Sequence, residues 1–286
     1  MANLKEIRNR IASIGSTMQI TSAMKMVSAA KLKKAQDAIT AMRPYSSKLT
    51  ELLQNLSATL DSDAGGAYSK QREVSKALLV VVTSNRGLCG GFNSSVIKET
   101  TQNIAANYQD VDVDLLTIGK KGNDILSKSY PVIDARNDIF DNLTFDYVAE
   151  VAEKIMKLYA DGTYDKIEII YNRFKNAATQ IPQVEQFLPI KPVEGDTNAS
   201  ADYIFEPSKE KIVLELIPKS LKTQLYKAVR DSFAAEHGAR MTAMHKATDN
   251  ATELRDELLL TYNKARQAAI TNEILEIVGG AEALKN

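Results

Sequence analysis

The chain has 286 residues, 44% of them hydrophobic and 25% charged, the balance of a soluble globular protein of one or two domains. Lys plus Arg and Asp plus Glu number 36 each, and this zero net charge argues against a general nucleic-acid binder. A single Cys excludes an intramolecular disulfide or a Cys-based metal cluster, and no apolar run reaches the roughly 18 residues that span a bilayer.

Charge is unevenly placed. Residues 1–60 hold nine basic and three acidic groups, a balance of +6, whereas residues 61–218 hold 17 and 24, a balance of −7. The start, MANLKEIRNR, has no signal-peptide apolar core. From Leu4 to Leu60 the only breakers are Gly15 and Pro44. Leu4, Ile7, Ile11, Ile14 and Met18 recur at spacings of three and four, and the same phase resumes at Leu32, Ala35, Ile39, Met42, Leu49, Leu53, Leu56 and Leu60. That heptad seam is the pattern of a coiled coil. Between its halves the seam carries Thr21, Lys25 and Ser28, so either a partner helix packs there with less apolar contact or something other than that helix contacts this stretch. Pro44 is expected to kink the helix or begin a second one.

The middle has another rhythm. SKALLVVVTS is a continuous, Val-rich run of strand length, followed by Gly87, Gly90 and Gly91 and a helical pattern from Phe92 to Tyr108. VDLLTIG ends a second strand in a Gly turn, KGNDILSKS is a short helix, Phe145–Ala160 is an amphipathic helix and KIEIIYN is a third strand. VEQFLPI and YIFEP read as further extended segments. Strands alternating with helices imply a mainly parallel sheet with helices on its faces. The stretches 61–73 and 192–201 read as surface connections.

From Lys219 to Val278 there is no Pro and one Gly, Gly238, and ten Ala lie between Ala228 and Ala269. A second seam is expected through Ala247, Ala251, Leu254, Leu258, Thr261, Ala265 and Ala268, with Gly279-Gly280 as the helix stop. A helix this long cannot bury its seam alone, and the other long helix is the expected partner, antiparallel to it.

Conventional chemistry finds few parts. SNRGLCGGFN sits between a strand and a helix, where nucleotide loops occur, but it lacks the Lys and Ser/Thr of G-x-x-x-x-G-K-[ST] and is not G-x-G-x-x-G. A tight structural turn is the better reading. Cys89 reads as a buried small hydrophobe. His237 and His245 stand about 12 Å apart on one helix, too far to share a metal. No carboxylate pair stands out as an acid/base couple.

Three segments resemble the γ subunit of the rotary ATP synthase: ITSAMKMVSAAKLKKA, SNRGLCGGFN and ARMTAMHKATDNATELRDELLLTYNKARQAAITNEILEIVGGAEAL. They stand in that family's order and extend the resemblance over nearly the whole chain. It implies a long antiparallel coiled coil of N- and C-terminal helices with an inserted Rossmann-like α/β domain of mainly parallel strands. The implied divisions are a shaft helix over 1–60, a globular domain over 74–206, and a C-terminal shaft helix over 208–286 that pairs with the first. The resemblance further implies a non-catalytic rotor shaft within a hexamer of α and β subunits, contacting the ε subunit and the membrane c ring. ATP, ADP and Mg then belong to α and β, with no cofactor on this chain and no nucleic acid. Met24 and Lys25 match shaft positions near the β lever, whose acidic segment suits the basic N-terminal stretch. Arg266, Gln267 and Thr271 match polar contacts to β. Ile274, Ile277, Val278 and Leu284 match an apolar tip turning in an apolar sleeve. Tyr203 and Glu206 match the foot near the c ring. Gly238 departs from the Ala or other helix-compatible residue often found there, which suggests local flexibility. No Arg- and Ser-rich leader precedes the first helix, which points to a bacterial protein, peripheral on the cytoplasmic side of the plasma membrane. Two other classes compete: a nucleotide-binding enzyme that uses the Gly-rich turn, and a coiled-coil adaptor.

Overall fold

The computed structural model describes residues 4–57, 68–190 and 209–283. The chain divides into two compact units, Met1–Val27 with Met241–Asn286, and Ser28–Arg240. Helix α1 (Leu4–Ser57) contributes to both, as does helix α5 (Lys209–Ala283).

Pro44 neither ends α1 nor begins a second helix, because it lies inside one continuous helix. A helix-interior proline costs about 3 kcal/mol, and the buried Ile39 and Leu49 on either side supply packing that offsets it. Helix α5 likewise starts ten residues before Lys219 and runs through Pro218. Nor does it stop at Gly279-Gly280, since it continues to Ala283. Glycine weakens a helix by about 1 kcal/mol yet keeps its backbone donor, so the hydrogen-bond ladder can pass through it.

In the first unit the two helices run antiparallel. Thr21 Oγ1 lies 2.8 Å from Thr248 Oγ1, and Arg8 Nη2 donates to Tyr262 Oη at 2.7 Å. Stepping back along α1 from Thr21 to Arg8 therefore corresponds to stepping forward along α5 from Thr248 to Tyr262. On α1 the expected seam is the covered face: Ile7 is buried, and Leu4, Ile11, Ile14 and Met18 are half-buried. On α5 the seam differs from expectation. Ala251 is buried and Leu258 and Ala265 are half-buried, but Leu254 is 44% exposed and Thr261 and Ala268 face solvent. Arg255 and Tyr262 take the intervening places, half-buried. Their long side chains lie along α1 while their polar ends find partners: Arg255 Nη1 approaches Met18 Sδ at 3.9 Å, and Tyr262 holds Arg8.

The second unit contains a five-stranded sheet in the order β3-β2-β1-β4-β5. Strands β1 (Lys76–Val82), β2 (Asp112–Ile118), β3 (Val132–Arg136) and β4 (Lys166–Phe174) are parallel, and β5 (Gln180–Leu188) is antiparallel to β4. Strand β1 is central and alternates between two cores, as a two-residue period requires. Leu78, Val80 and Val82 pack with Val148, Val151 and Ile155 of α4 (Phe145–Ala160) and with Leu221, Leu225 and Val229 of α5. Ala77, Leu79 and Val81 pack with Val96 and Ile104 of α2 (Phe92–Asn107) and with Leu126 of α3 (Lys120–Leu126). Strand β3 has no counterpart among the expected strands. It is a five-residue edge strand with polar Asp134 and Arg136 between apolar residues, so its hydrophobic signal is weak. YIFEP lies outside the described residues.

Turns at the strand ends depend on close approach. Gly119, between β2 and α3, has φ +102°, and a Cβ there would stand 2.2 Å from the Thr83 carbonyl oxygen. Thr83 also accepts the Gly122 N–H on its hydroxyl at 2.8 Å. Gly119→Ala combines a disfavoured backbone with a backbone clash, and is expected to cost at least about 3 kcal/mol of unfolding free energy. Denaturant titration of the chain against wild type reads this as a lower midpoint; an unchanged midpoint would mean that the turn rearranges freely.

Candidate interaction surfaces

Helix α5 outruns its partner. Pairing with α1 ends where α1 begins, and from Arg266 to Ala281 every α5 residue is exposed. This stretch is not polar: Ile270, Ile274, Leu275, Ile277 and Val278 are 49–66% exposed. A helix that presents so much apolar surface without cover is a docking element. Arg266, Gln267 and Thr271 lie on its first turns, where the Thr271 hydroxyl donates to the Gln267 carbonyl at 2.9 Å. Leu284, Tyr203 and Glu206 lie outside the described residues.

A second apolar surface lies on α1. Met24 and Lys25 are half-buried. Ile20, Met26 and Val27 around them are 57–65% exposed and point away from the seam. The signal for these residues, as for Ile270 and Leu275, was available in the sequence: they are apolar residues off the seam phase.

In the second unit, the Gly-rich segment after β1 is a tightly wired turn. Asn93 Oδ1 accepts from the Ser84 backbone N–H at 3.0 Å, and the Ser84 hydroxyl donates to the Arg86 carbonyl at 2.7 Å. Cys89 is buried against Phe92, Ala235 and Ala239, and burial raises its thiol pKa, so it packs as a small hydrophobe. Leu88 has φ +62° and Gly90 +58°, a left-handed pair that reverses the chain. Arg240 of α5 donates to the Arg86 and Gly87 carbonyls at 3.1 and 3.2 Å, and its other arm meets Glu236 at 2.5 Å. Both members of that ion pair are buried. Burial raises the Glu236 pKa while Arg240 opposes the rise.

The neighbouring Gly238 is a point of contact, not of flexibility. A Cβ there would stand 3.1 Å from Ala177 Cα and 3.3 Å from the Phe174 ring, so glycine admits the turn between β4 and β5 against the helix. His237 is also buried, its ring edge-on to Phe233 and its Nδ1 without a hydrogen-bond partner. Desolvation, then the charges of Arg240 and Lys31, depress its pKa to about 3. His245 is exposed and pairs with Asp249 at 3.3 Å. Among the described residues no group of three His, Cys, Asp or Glu could hold a metal ion, and no helix is long and apolar enough to cross a membrane.

Two outcomes are expected from this wiring. Arg240→Met strands a buried carboxylate and two carbonyls, so it should destabilise the chain by roughly 3–5 kcal/mol and speed proteolysis within residues 84–93; Arg240→Lys, which cannot reach all three acceptors, should fall between. His237 is neutral when folded and protonates near its ordinary pKa when unfolded. Its contribution is therefore complete above about pH 6.5 and declines as pH falls toward 3. Unfolding midpoints of His237→Leu should drop less than wild type between pH 7 and 4.5; parallel curves would refute this assignment.

A protein-family profile described as ATP synthase matches residues 3–284. The chain is 73% identical over 286 residues to an ATP synthase gamma chain of Flavobacterium psychrophilum, covering all of both chains. It is 46% identical over 287 residues to that of a Geobacter species, again covering all of both. Among solved structures it resembles a chain of the central stalk and c-ring of the Tetrahymena thermophila mitochondrial ATP synthase. That match has TM-score 0.62 and 28% identity, and covers 80% of this chain and 99% of the other. A chain of the Euglena gracilis mitochondrial enzyme shares the fold, with TM-score 0.70 and 22% identity over 98% of this chain and 94% of the other.

Proposed function

The chain belongs to the ATP synthase γ-chain family, and on that premise we propose that it is the central rotor shaft of a proton-translocating ATP synthase, coupling rotation of a membrane c ring to catalysis in an α/β hexamer. The observation that carries this reading is the end of α5, where a lone helix holds five large apolar residues in solvent. Such a surface needs a partner that encloses it, and a ring with an apolar bore does so without gripping one face. Ile274, Ile277 and Val278 turn in that sleeve, with Leu284 assigned to the same tip. Arg266, Gln267 and Thr271 supply polar contacts to β just below it, while Met24 and Lys25 meet the β lever. Tyr203 and Glu206 are assigned to the foot, toward the ε subunit and the c ring.

The chain itself is non-catalytic. In support, the carbonyls of Arg86 and Gly87 in the Gly-rich turn are taken up by Arg240. ATP, ADP and Mg are held by α and β. Coupling then rests on asymmetry. A single shaft cannot present the same face to three β subunits, so each is biased toward a different conformation and nucleotide affinity. Linkage makes the effect reciprocal: rotation shifts affinity, and binding or hydrolysis drives rotation. The resemblance to bacterial relatives supports a peripheral place on the cytoplasmic side of the plasma membrane, with membrane contact only through the complex.

Reconstitution with α and β subunits tests the reading, with complex mass and ATPase rate measured together. One copy of this chain per six ring subunits with an altered rate is expected; failure to associate with competent α and β would sink it. Within the complex, Arg266→Ala with Gln267→Ala removes two exposed polar groups and should leave the unfolding midpoint of the free chain within about 0.5 kcal/mol. It should weaken assembly or proton-coupled synthesis several-fold. Unchanged assembly and synthesis would remove these two residues from the interface.

A further inference from the structure

The polar layer in the coiled coil is an unusual place to spend hydroxyls. Thr21 occupies a seam position with only 9% of its surface exposed, and its Oγ1 meets Thr248 Oγ1 at 2.8 Å. Each hydroxyl also lies within reach of a carbonyl of its own helix, Met18 for Thr21 at 3.1 Å and Met244 for Thr248 at 2.8 Å. Two hydroxyl protons serve three contacts, so one hydroxyl bonds its own helix while the other donates across. The next turn repeats the theme: Thr252 Oγ1 approaches Met18 Sδ at 3.3 Å while also reaching the Thr248 carbonyl at 2.9 Å.

The apolar seam around this layer is a weak ruler. Alanines at 247, 251 and 265 let the helices approach, but a methyl group offers little shape to resist sliding. On α1, Ile7, Ile11, Ile14 and Met18 are similar in bulk, so on that side a displacement by one heptad sets residues of like size in one another's places. The polar partners do not tolerate that displacement. It would set Thr21 against Met241 or Arg255 and would part Arg8 from Tyr262. A buried polar pair in a coiled coil selects one register at some cost in stability. The exposed Arg8 and the half-buried Tyr262 add a second, weaker mark.

We propose that the Thr21–Thr248 hydroxyl pair is the register pin of the coiled coil, preventing the two helices from sliding along one another under torsion. The load it resists presupposes the shaft reading given above. The pair is a positioning element: it touches neither nucleotide nor membrane.

The test uses the assembled ATP synthase with nitroxide labels at Ser13→Cys and Glu257→Cys, exposed positions on α1 and α5; native Cys89 is buried and does not compete. Double electron–electron resonance reads the distance between the labels with the pin intact and with Thr21→Val plus Thr248→Val. Valine keeps the shape and removes both hydroxyls together. One heptad of sliding displaces the helices by about 10 Å. A single narrow distance is expected with the pin intact. Because the labels start level with one another along the coil, sliding lengthens their distance by a part of that displacement; a second, longer distance is expected in the valine pair, together with at least a twofold fall in protons pumped per ATP hydrolysed. A single unchanged distance in the valine pair would overturn the proposal, whatever the pumping ratio does. Should the valine pair not assemble, Thr21→Val and Thr248→Val taken singly are read by the same criterion. The shaft reading fails separately, if complexes lacking this chain pump protons as well as complete ones.

Discussion

Everything in this protein follows from the need to cover one helix of 75 residues. Helix α5 is too long for any single packing solution, and it meets three in succession. Its first part is a core helix: Leu221, Leu225 and Val229 lie under the sheet with α4. Next comes a half-buried face shared with α1, rich in alanine and threonine. Its last part is bare. The side chains change with the cover, from large aliphatics to small residues to exposed isoleucines, although the backbone conformation does not change. Helix propensity sets the element, and the surroundings set which residues it carries.

Burial of polar groups marks where precision outweighs raw stability. The Glu236–Arg240 pair is buried, yet two hydrophobic residues of similar volume would cost less to desolvate. What a hydrophobic pair could not do is hold the Arg86 and Gly87 carbonyls. The planar fork of arginine reaches a carboxylate on one side and a turn on the other, so one residue fixes the turn relative to α5. Gly238, two residues away, permits the approach of another turn by having no side chain at all. One helical turn thus receives two loops by opposite means, one by a long charged group and one by its absence.

Much of this was legible in the sequence because periodicity is a direct image of burial. The seam on α1 from Leu4 to Leu49 and the helix Phe145–Ala160 agree with the structure; Leu53, Leu56 and Leu60 lie outside the described side chains. Strand β1 was equally plain, since a strand covered on both faces is uninterrupted apolar sequence. Legibility failed where a residue is amphipathic or where one feature has two uses. Arg255 and Tyr262 look like surface residues, so the α5 sequence points to a seam through Leu254 and Thr261 instead. Pro44, Gly279 and Gly280 look like stops, but long helices absorb single weak residues. Gly238 looked loose when its role is contact. The polar surfaces assigned to partners rest on resemblance to the family, because an exposed arginine or threonine carries no periodic signal of what it will touch.

The pairing of Arg8 with Tyr262 joins residues 254 positions apart in the chain. Contacts so distant in sequence are slow to find, since the whole intervening chain must be ordered or looped out first. On the ribosome the consequence is sharper. Helix α1 emerges with its apolar seam ready, but the partner it pairs with is made more than two hundred residues later. The sheet waits as well, because Leu221, Leu225 and Val229 complete one of its faces. Until α5 is made the nascent chain therefore carries an unpaired hydrophobic stripe on α1, the kind of surface that chaperones cover and that aggregates when they do not. Pairing two helices so far apart in sequence makes synthesis of the later one a condition for covering the earlier one.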